Sequence, residues 1–315
     1  MGLGGTGIRV YVCAGLWSQL PRLPHHSMAG GVEVFIGADI GGTKTLVVAC
    51  DETGREVQRQ RFPTPTALSE GLQQLVAAIE TVAAGAHIRA IGVSIGGPID
   101  RRRGTVSPLH QPQWRDVPLR LLLEERFRCP CHIEVDTDAA ALGEWHLGNV
   151  RESPLVYVTL STGVGGALVL DGQLYRGASG AHPELGHQIV PNEFGDSEPV
   201  RCACGASNCL ESLISGRALQ QRFGCSPAEL PAETWERIGR ILGHGLRNIA
   251  VLYAPRRIVL GGSIAAAAAE RLVPIVVASL HEQLMLVPVP AVSLSVFGAE
   301  ASLWGAVALA LGYGQ

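Results

Sequence analysis

The chain has 315 residues, 47% of them apolar, which is enough for two compact lobes with substantial cores. Lys and Arg number 25 against 28 Asp and Glu, a net charge of −3 that argues against an electrostatic nucleic-acid or membrane-surface partner. No run reaches the roughly 18 apolar residues of a membrane span, and eight cysteines with three clustered and five scattered fit a reducing cytosol better than a disulfide framework.

In chain order, residues 1–31 read as a poorly ordered extension, or as translation assigned from too early a start. Arg9 interrupts the apolar stretch 8–20 and no small-residue cleavage pattern follows, so it does not read as a secretory signal. The fold is expected to begin near Val32. VEVFIGADIGG (32–42) and TKTLVVACDETG (43–54) are two strands around a glycine turn. Leu68, Leu72, Leu75, Val76, Ile79 and Val82 fall at helical spacing over 68–84. AIGVSIGGPID (90–100) is a buried strand, 117–127 a short helix, CHIEVD (131–136) a strand and 138–148 a helix. Residues 155–177 repeat the opening pattern of strand, glycine turn, strand and Asp-Gly hairpin turn. Helices near 209–222 and 232–253, a strand at 256–262, a helix over 264–283, a strand at 290–297 and a helix at 301–312 complete the chain. The two strand–turn–strand units at 34–50 and 155–170 imply an internal duplication, one unit per lobe, with a cleft between two α/β lobes.

Both glycine turns are built to hold anions. In Asp39-Ile-Gly41-Gly42-Thr43-Lys44 the glycines let backbone N–H groups come close to a phosphate, and Thr43 and Lys44 add a hydroxyl and a positive charge. Ser161-Thr162-Gly163-Val164-Gly165-Gly166 is a second such cradle. Neither matches the Walker pattern or a dinucleotide fingerprint, and either alone is also an ordinary tight turn. Gly261-Gly262, after a strand and before a helix, forms a third loop suited to a nucleotide base or ribose.

The most specific stretch lies between Glu184 and Glu211. His187, Cys202, Cys204 and Cys209 put one imidazole and three thiols within 23 residues, the donor set of a closed tetrahedral zinc site. Gly205 and Asn208 can take the left-handed backbone of a tight knuckle. Four protein ligands leave no open position, so the zinc is expected to be structural, holding Glu184 and Glu211 in place.

Phosphoryl transfer to a hydroxyl needs a carboxylate to accept the proton. Asp136, at the end of a strand just before a helix, is the candidate; the competing reading is a helix N-cap, a role Asp138 also fits.

These motifs in this order resemble the ROK family of repressors, open reading frames and sugar kinases, within the hexokinase–actin–Hsp70 superfamily. The resemblance runs from about Val34 to Ala310 and rests on DIGGTK (39–44), GGPID (96–100), D-x-D-AAALGEW (136–145), STGVGG (161–166), ELGH (184–187), CACGASNCLE (202–211) and VLGG (259–262). It implies a two-lobed actin-like (ribonuclease H-like) α/β fold. Residues 32–137 plus 299–315 would form the small lobe, and 138–298 the large lobe with the zinc-binding loop. It implies an ATP- and Mg2+-dependent, cytoplasmic, homodimeric hexose kinase acting at the 6-hydroxyl. Asp39, Gly41, Gly42, Thr43 and Lys44 would hold phosphates and a metal-bound water shell. Thr162, Gly163 and Gly165 would take the second phosphate position, with Gly261 and Gly262 beside the adenosine. Asp136 aligns with the general base; a two-residue deletion would put Asp138 there instead. Gly97, Glu184, His187 and Glu211 align with sugar-binding positions, His187 also with the zinc. Two departures bear on the sugar: Val135 and His110 stand where the family often has asparagines, which leaves the hexose open. Asp136-Thr-Asp138 and His182-Pro-Glu184 resemble the fructokinase branch, and CACGASNC the glucokinase and N-acylhexosamine branches. A sugar-responsive regulator and a sugar-binding protein without turnover are the competing readings. A regulator of the family carries a helix-turn-helix ahead of the first loop, and residues 1–38 are neither basic nor paired in helical periodicity.

Overall fold

A computed structural model describes residues 32–314, so the expectation for residues 1–31 lies outside the described part. The chain divides into two compact units, one running to Val135 with Leu309–Leu311, the other Asp136–Ala308 with the final residues.

The first unit is built on a five-stranded sheet in the order β3-β2-β1-β4-β7. Its strands are β1 (Glu33–Ile40), β2 (Lys44–Cys50), β3 (Glu56–Pro63), β4 (His87–Ile95) and β7 (Cys131–Val135). Strands β1, β2 and β3 form an antiparallel meander, while β4 runs parallel to β1 and β7 parallel to β4. The short pair β5 (Ile99–Asp100) and β6 (Thr105–Val106) forms a separate ribbon. Helix α1 (Leu68–Ala83) buries Leu72, Leu75, Val76, Ile79 and Val82, the stripe expected from the spacing, and closes on Ala84 in the left-handed region. Helix α2 (Leu119–Phe127) buries Leu119, Leu122 and Leu123. These helix faces join Val34, Ile36, Ala38, Ile40, Ile91, Val93 and Ile95 in one core. The alternation along β1 follows the two-residue period of a strand.

The second unit repeats this plan. Strands β8 (Leu155–Leu160), β9 (Val164–Leu170), β10 (Gln173–Leu174), β11 (Arg257–Gly261) and β12 (Ala291–Leu294) are ordered β10-β9-β8-β11-β12, with an antiparallel hairpin side and two parallel strands beyond it. Residues Val156, Val158, Leu160, Ile258 and Leu260 point into one core with helix α6 (Ala232–Tyr253) and helix α8 (Ala269–Gln283). Leu155, Tyr157, Val259, Ala167 and Val169 point into another on the opposite face, with Ala140, Ala141 and Trp145 of helix α3 (Asp136–His146). A sheet covered on both faces explains why these strands read as unbroken apolar runs.

Five expectations change. The strand expected over 90–100 ends at Ile95, and Ile99–Asp100 pair instead with β6. The helix near 209–222 is two, α4 (Leu210–Ile214) and α5 (Gly216–Phe223), parted at Ser215, whose extended backbone lets its side chain cap Ala218 N–H. The helix over 264–283 is also two, α7 (Ser263–Ala267) and α8, parted at Ala268 with ψ 12°. Asp136 opens helix α3 rather than ending a strand. The last helix, α9 (Ala301–Ala310), belongs through Ala308 to the second unit rather than the first. Its Gly305 lies so close to α3 that a Cβ there would fall 1.9 Å from the Ala139 carbonyl oxygen; any larger residue would force the two helices apart.

Candidate functional site

In the first unit, the turn between β1 and β2 is tied at several points. Gly41 N–H donates to the Lys44 carbonyl (3.0 Å), and the Thr64 hydroxyl donates to the Gly41 carbonyl (2.8 Å). Gly42 and Thr43 stay exposed, and Lys44 is partly so. Asp39 accepts from the Ser94 hydroxyl at 3.0 Å, across the β1–β4 register that places the two residues side by side. His110 packs its Cβ against Gly42, 3.2 Å from where a Cβ on that glycine would sit, and neighbouring Leu109 donates to the Gly97 carbonyl at 3.0 Å. Asp39, the glycine turn, Gly97 and His110 are therefore gathered at one end of the first sheet. Buried Gln111 reaches the Gly41 carbonyl at 3.4 Å while its Oε1 has no partner among the described residues. Ser94 and Gln111 were not among the sequence candidates. A lone hydroxyl inside the apolar run AIGVSIGG was the signal for Ser94.

In the second unit, Ser161–Gly163 turn between β8 and β9. Ser161 N–H donates to Gly163 O (2.9 Å), and Gly216 N–H donates to Ser161 O (2.7 Å), fastening the loop to the start of α5. Thr162 is exposed. Glu211 accepts from Val164 N–H at 3.1 Å, and its Oε2 lies 2.7 Å from the position of a Cβ on Gly163. On the other side, a Cβ on Gly165 would lie 3.0 Å from Thr137 Cγ2 in the first turn of α3. Gly262 follows β11 with φ 90°, a conformation L side chains rarely adopt, and a Cβ there would meet the Leu160 carbonyl at 2.4 Å. The third glycine loop thus lies against the strand that leads into the second.

The four sulfur and nitrogen donors converge as expected. The ligand atoms of His187, Cys202, Cys204 and Cys209 all lie within 4.8 Å of one another. Cys202 Sγ is 3.5 Å from His187 Nδ1, and Cys204 Sγ is 3.4 Å from Cys209 Sγ. A tetrahedral ion with bonds of about 2.1–2.3 Å needs donor–donor edges of roughly 3.4–3.8 Å. The donors therefore fit an ion of zinc's size. Burial and the two neighbouring thiols push the Cys209 thiol up to about 12, so three thiolates cannot coexist cheaply without a cation among them. Gly205 (φ 97°) and Asn208 (φ 56°) supply the left-handed turns of the knuckle. With Nδ1 toward Cys202, His187 turns Nε2 toward Glu184, whose carboxylate is 4.0 Å away and two-thirds exposed.

Asp136 and Asp138, two residues apart on α3, have opposite surroundings. Asp138 is 0% exposed and holds Arg176 Nη1 at 2.5 Å and His182 Nδ1 at 3.0 Å. It is held in that cluster from inside the first turn of α3. Asp136 is solvent-accessible by area and accepts from Thr137 N–H at 2.8 Å. Burial by the surrounding chain is the largest influence on it and raises its carboxyl above the ordinary value; the Thr137 N–H and the charge of His182 pull it down, and Asp138 pushes it up. Its open face keeps some hydration, so the rise is smaller than enclosure alone would give. Arg176 was absent from the sequence reading, which had no means of linking it to a helix 38 residues earlier.

The comparisons follow this geometry. The ROK family model matches residues 35–312. A glucokinase of Streptomyces coelicolor is 30% identical over 264 residues, covering 73% of this chain and 81% of the relative. The ROK hexokinase of Thermus thermophilus superposes with a TM-score of 0.73 at 32% identity, covering 88% of this chain and 97% of that one. A ROK glucokinase from Streptomyces griseus, solved with glucose and AMPPNP, gives 0.73 at 28% identity, covering 88% and 98%. The glycine turns, the thiol cluster and a family match spanning nearly all of the described residues lead to one conclusion: the chain belongs to the ROK family.

Proposed function

We propose that this chain is an ATP-dependent hexose kinase acting on the 6-hydroxyl, with Asp136 as general base. The observation that carries the reading is the continuity of three parts of the second unit. The thiol cluster leads into Glu211, Glu211 holds the second glycine loop through Val164 N–H, and that loop rests through Gly165 on Thr137, next to Asp136.

In this reading Asp136 accepts the hydroxyl proton as the alcohol oxygen attacks the terminal phosphorus and the bond to the departing diphosphate breaks. A carboxylate raised above its ordinary value is a better proton acceptor, and its open face leaves room for the alcohol. Asp138 is unsuited to the role, since it is fully buried against Arg176 and His182. The N–H groups and hydroxyls at Gly41–Lys44 and at Thr162–Gly165 bind phosphate oxygens, and Lys44 adds charge. Gly261 and Gly262 border the nucleoside. Mg2+ would be held beside Asp39 and would supply neutralisation of phosphate charge. His187, Cys202, Cys204 and Cys209 would hold zinc, which would supply rigidity to the segment that carries Glu184, His187 and Glu211 toward sugar hydroxyls. A site built to pair hydroxyls rejects a sugar that lacks them. Gly97 and His110 complete the sugar-binding set in the first unit. The glucokinase and hexokinase relatives support this reading.

The test is a coupled assay of ADP release with ATP over glucose, fructose, mannose, allose, N-acetylglucosamine and N-acetylmannosamine. At least one hexose is expected to turn over; binding of a sugar with no turnover of any would instead favour a sugar-binding regulator.

A further inference from the structure

The second glycine loop is gripped by the protein through its carbonyls and left open at its amides. Ser161 O accepts from Gly216 N–H (2.7 Å), Thr162 O from Arg217 N–H (3.3 Å) and Gly163 O from Ser161 N–H (2.9 Å). The N–H groups of Thr162 and Gly163 have no acceptor among the described residues. A turn whose carbonyls are occupied and whose amides are free presents donors, which suits an anion such as a phosphate.

The side chains around the loop do not match that role by themselves. Residues 161–166, STGVGG, contain no cation, whereas the first loop carries Lys44 in its own sequence. The ionisable group fastened to the second loop is a carboxylate. Glu211 Oε2 accepts from Val164 N–H at 3.1 Å and lies 2.7 Å from where a Cβ on Gly163 would sit. A negative charge this close opposes a phosphate unless a cation offsets it.

Arg217 is placed to supply that cation. Its backbone sits directly on the loop through the N–H bond to Thr162, next to the Gly216–Ser161 bond, and Ser215 fixes this start of α5 by capping Ala218 N–H. Arg176, Arg222 and Arg257 of the same unit each hold a carboxylate. Arg217 is exposed, and its guanidinium has no hydrogen-bond or ion-pair partner among the described residues.

Resting on the kinase reading above, we propose that Arg217 binds the phosphate chain of the nucleotide at the second glycine loop, supplying there the positive charge that Lys44 supplies at the first. Its planar guanidinium offers two parallel N–H groups to two phosphate oxygens, a match that a point charge does not make. Segment 211–217 then serves the loop twice: Glu211 fastens its far side through Val164 N–H, and Arg217 offsets the charge that Glu211 brings.

The test reads binding before catalysis. Calorimetry with AMPPNP, ADP and adenosine, in the presence of Mg2+, is compared for the full chain as wild type, Arg217→Gln and Arg217→Lys. The bond from residue 217 to Thr162 uses the backbone N–H and is open to all three, so the comparison isolates the guanidinium. Arg217→Gln is expected to bind AMPPNP and ADP about tenfold more weakly with adenosine affinity unchanged, and Arg217→Lys to recover part of the loss. The KM for ATP should rise by a similar factor and the KM for the sugar should not. Equal AMPPNP and ADP affinities in the wild type and Arg217→Gln would overturn the proposal, as would an equal loss for adenosine. If the wild type binds AMPPNP yet phosphorylates no hexose, the kinase reading fails and the binding comparison still decides the role of Arg217; a wild type that binds no nucleotide overturns both.

Discussion

The two sheets share one strand order, yet their glycine turns are secured in different ways. The first turn, at Gly41–Thr43, is tied by Lys44, Thr64 and Gln111, with His110 packed on Gly42. The second, at Ser161–Gly163, is held from outside: Glu211 from the thiol-rich segment, Gly216 from the start of α5, and Thr137 from α3 all bear on it. A duplicated framework has thus left one loop on its own hairpin, Thr64 and the side chains of His110 and Gln111, and has tied the other to a carboxylate of the thiol-rich segment. Disturbing the thiol-rich segment should reach the second loop through Glu211.

The largest effect is expected from dismantling the thiol cluster. Cys209→Ser removes a buried donor, and the account predicts loss of zinc by elemental analysis together with loss of sugar phosphorylation, since structural zinc sites contribute folding free energy outright. Retention of full activity without metal would separate the two halves of the comparison. Next in size is Glu211→Gln. An amide can still accept from Val164 N–H but loses the charge, and a drop in kcat/KM of about ten- to a hundredfold is expected, as for other residues that support a metal-bound group.

Gly305→Ala, at the α3–α9 contact, inserts a methyl into backbone and is expected to destabilise by about 1–3 kcal/mol in a urea titration. It should lower the melting point before it alters ATP affinity. A smaller effect is expected from pH. The folded state raises the Asp136 carboxyl, so that residue favours folding below its ordinary value of 3.8 and loses this contribution as pH rises through the raised value. Asp136→Asn is therefore expected to melt slightly above wild type at neutral pH and to match it near pH 3. The opposite ordering at neutral pH would mean that this carboxylate is stabilised by its neighbours rather than strained by them.

Much of this was legible in the residues. The apolar runs on either side of glycine turns marked β1, β2, β8 and β9, and the helical spacing of apolar residues marked α1. The thiol–imidazole cluster could be read from spacing alone because tetrahedral metal geometry tolerates few alternatives. Strand β3 was invisible: EVQRQRFP is an edge strand with mostly exposed polar side chains, and its pairing comes from β2 rather than from any apolar pattern of its own. The breaks at Ser215 and Ala268 were hidden because apolar periodicity continues through both. The place of α9 was also hidden, since ASLWGAVALA is apolar on every side and contacts such as that of Gly305 with Ala139 decide what it packs against. The choice between Asp136 and Asp138 depended on burial and on Arg176 and His182, partners that no local pattern reveals.

The central assignment rests on one side chain and can be tested on it. Sugar-dependent ADP release by Asp136→Asn, measured beside sugar binding by calorimetry and the far-ultraviolet spectrum, isolates proton acceptance from folding and binding. The account predicts a fall in kcat of about 10²–10⁴-fold with sugar affinity and spectrum retained; a variant that turns over like the wild type would contradict it.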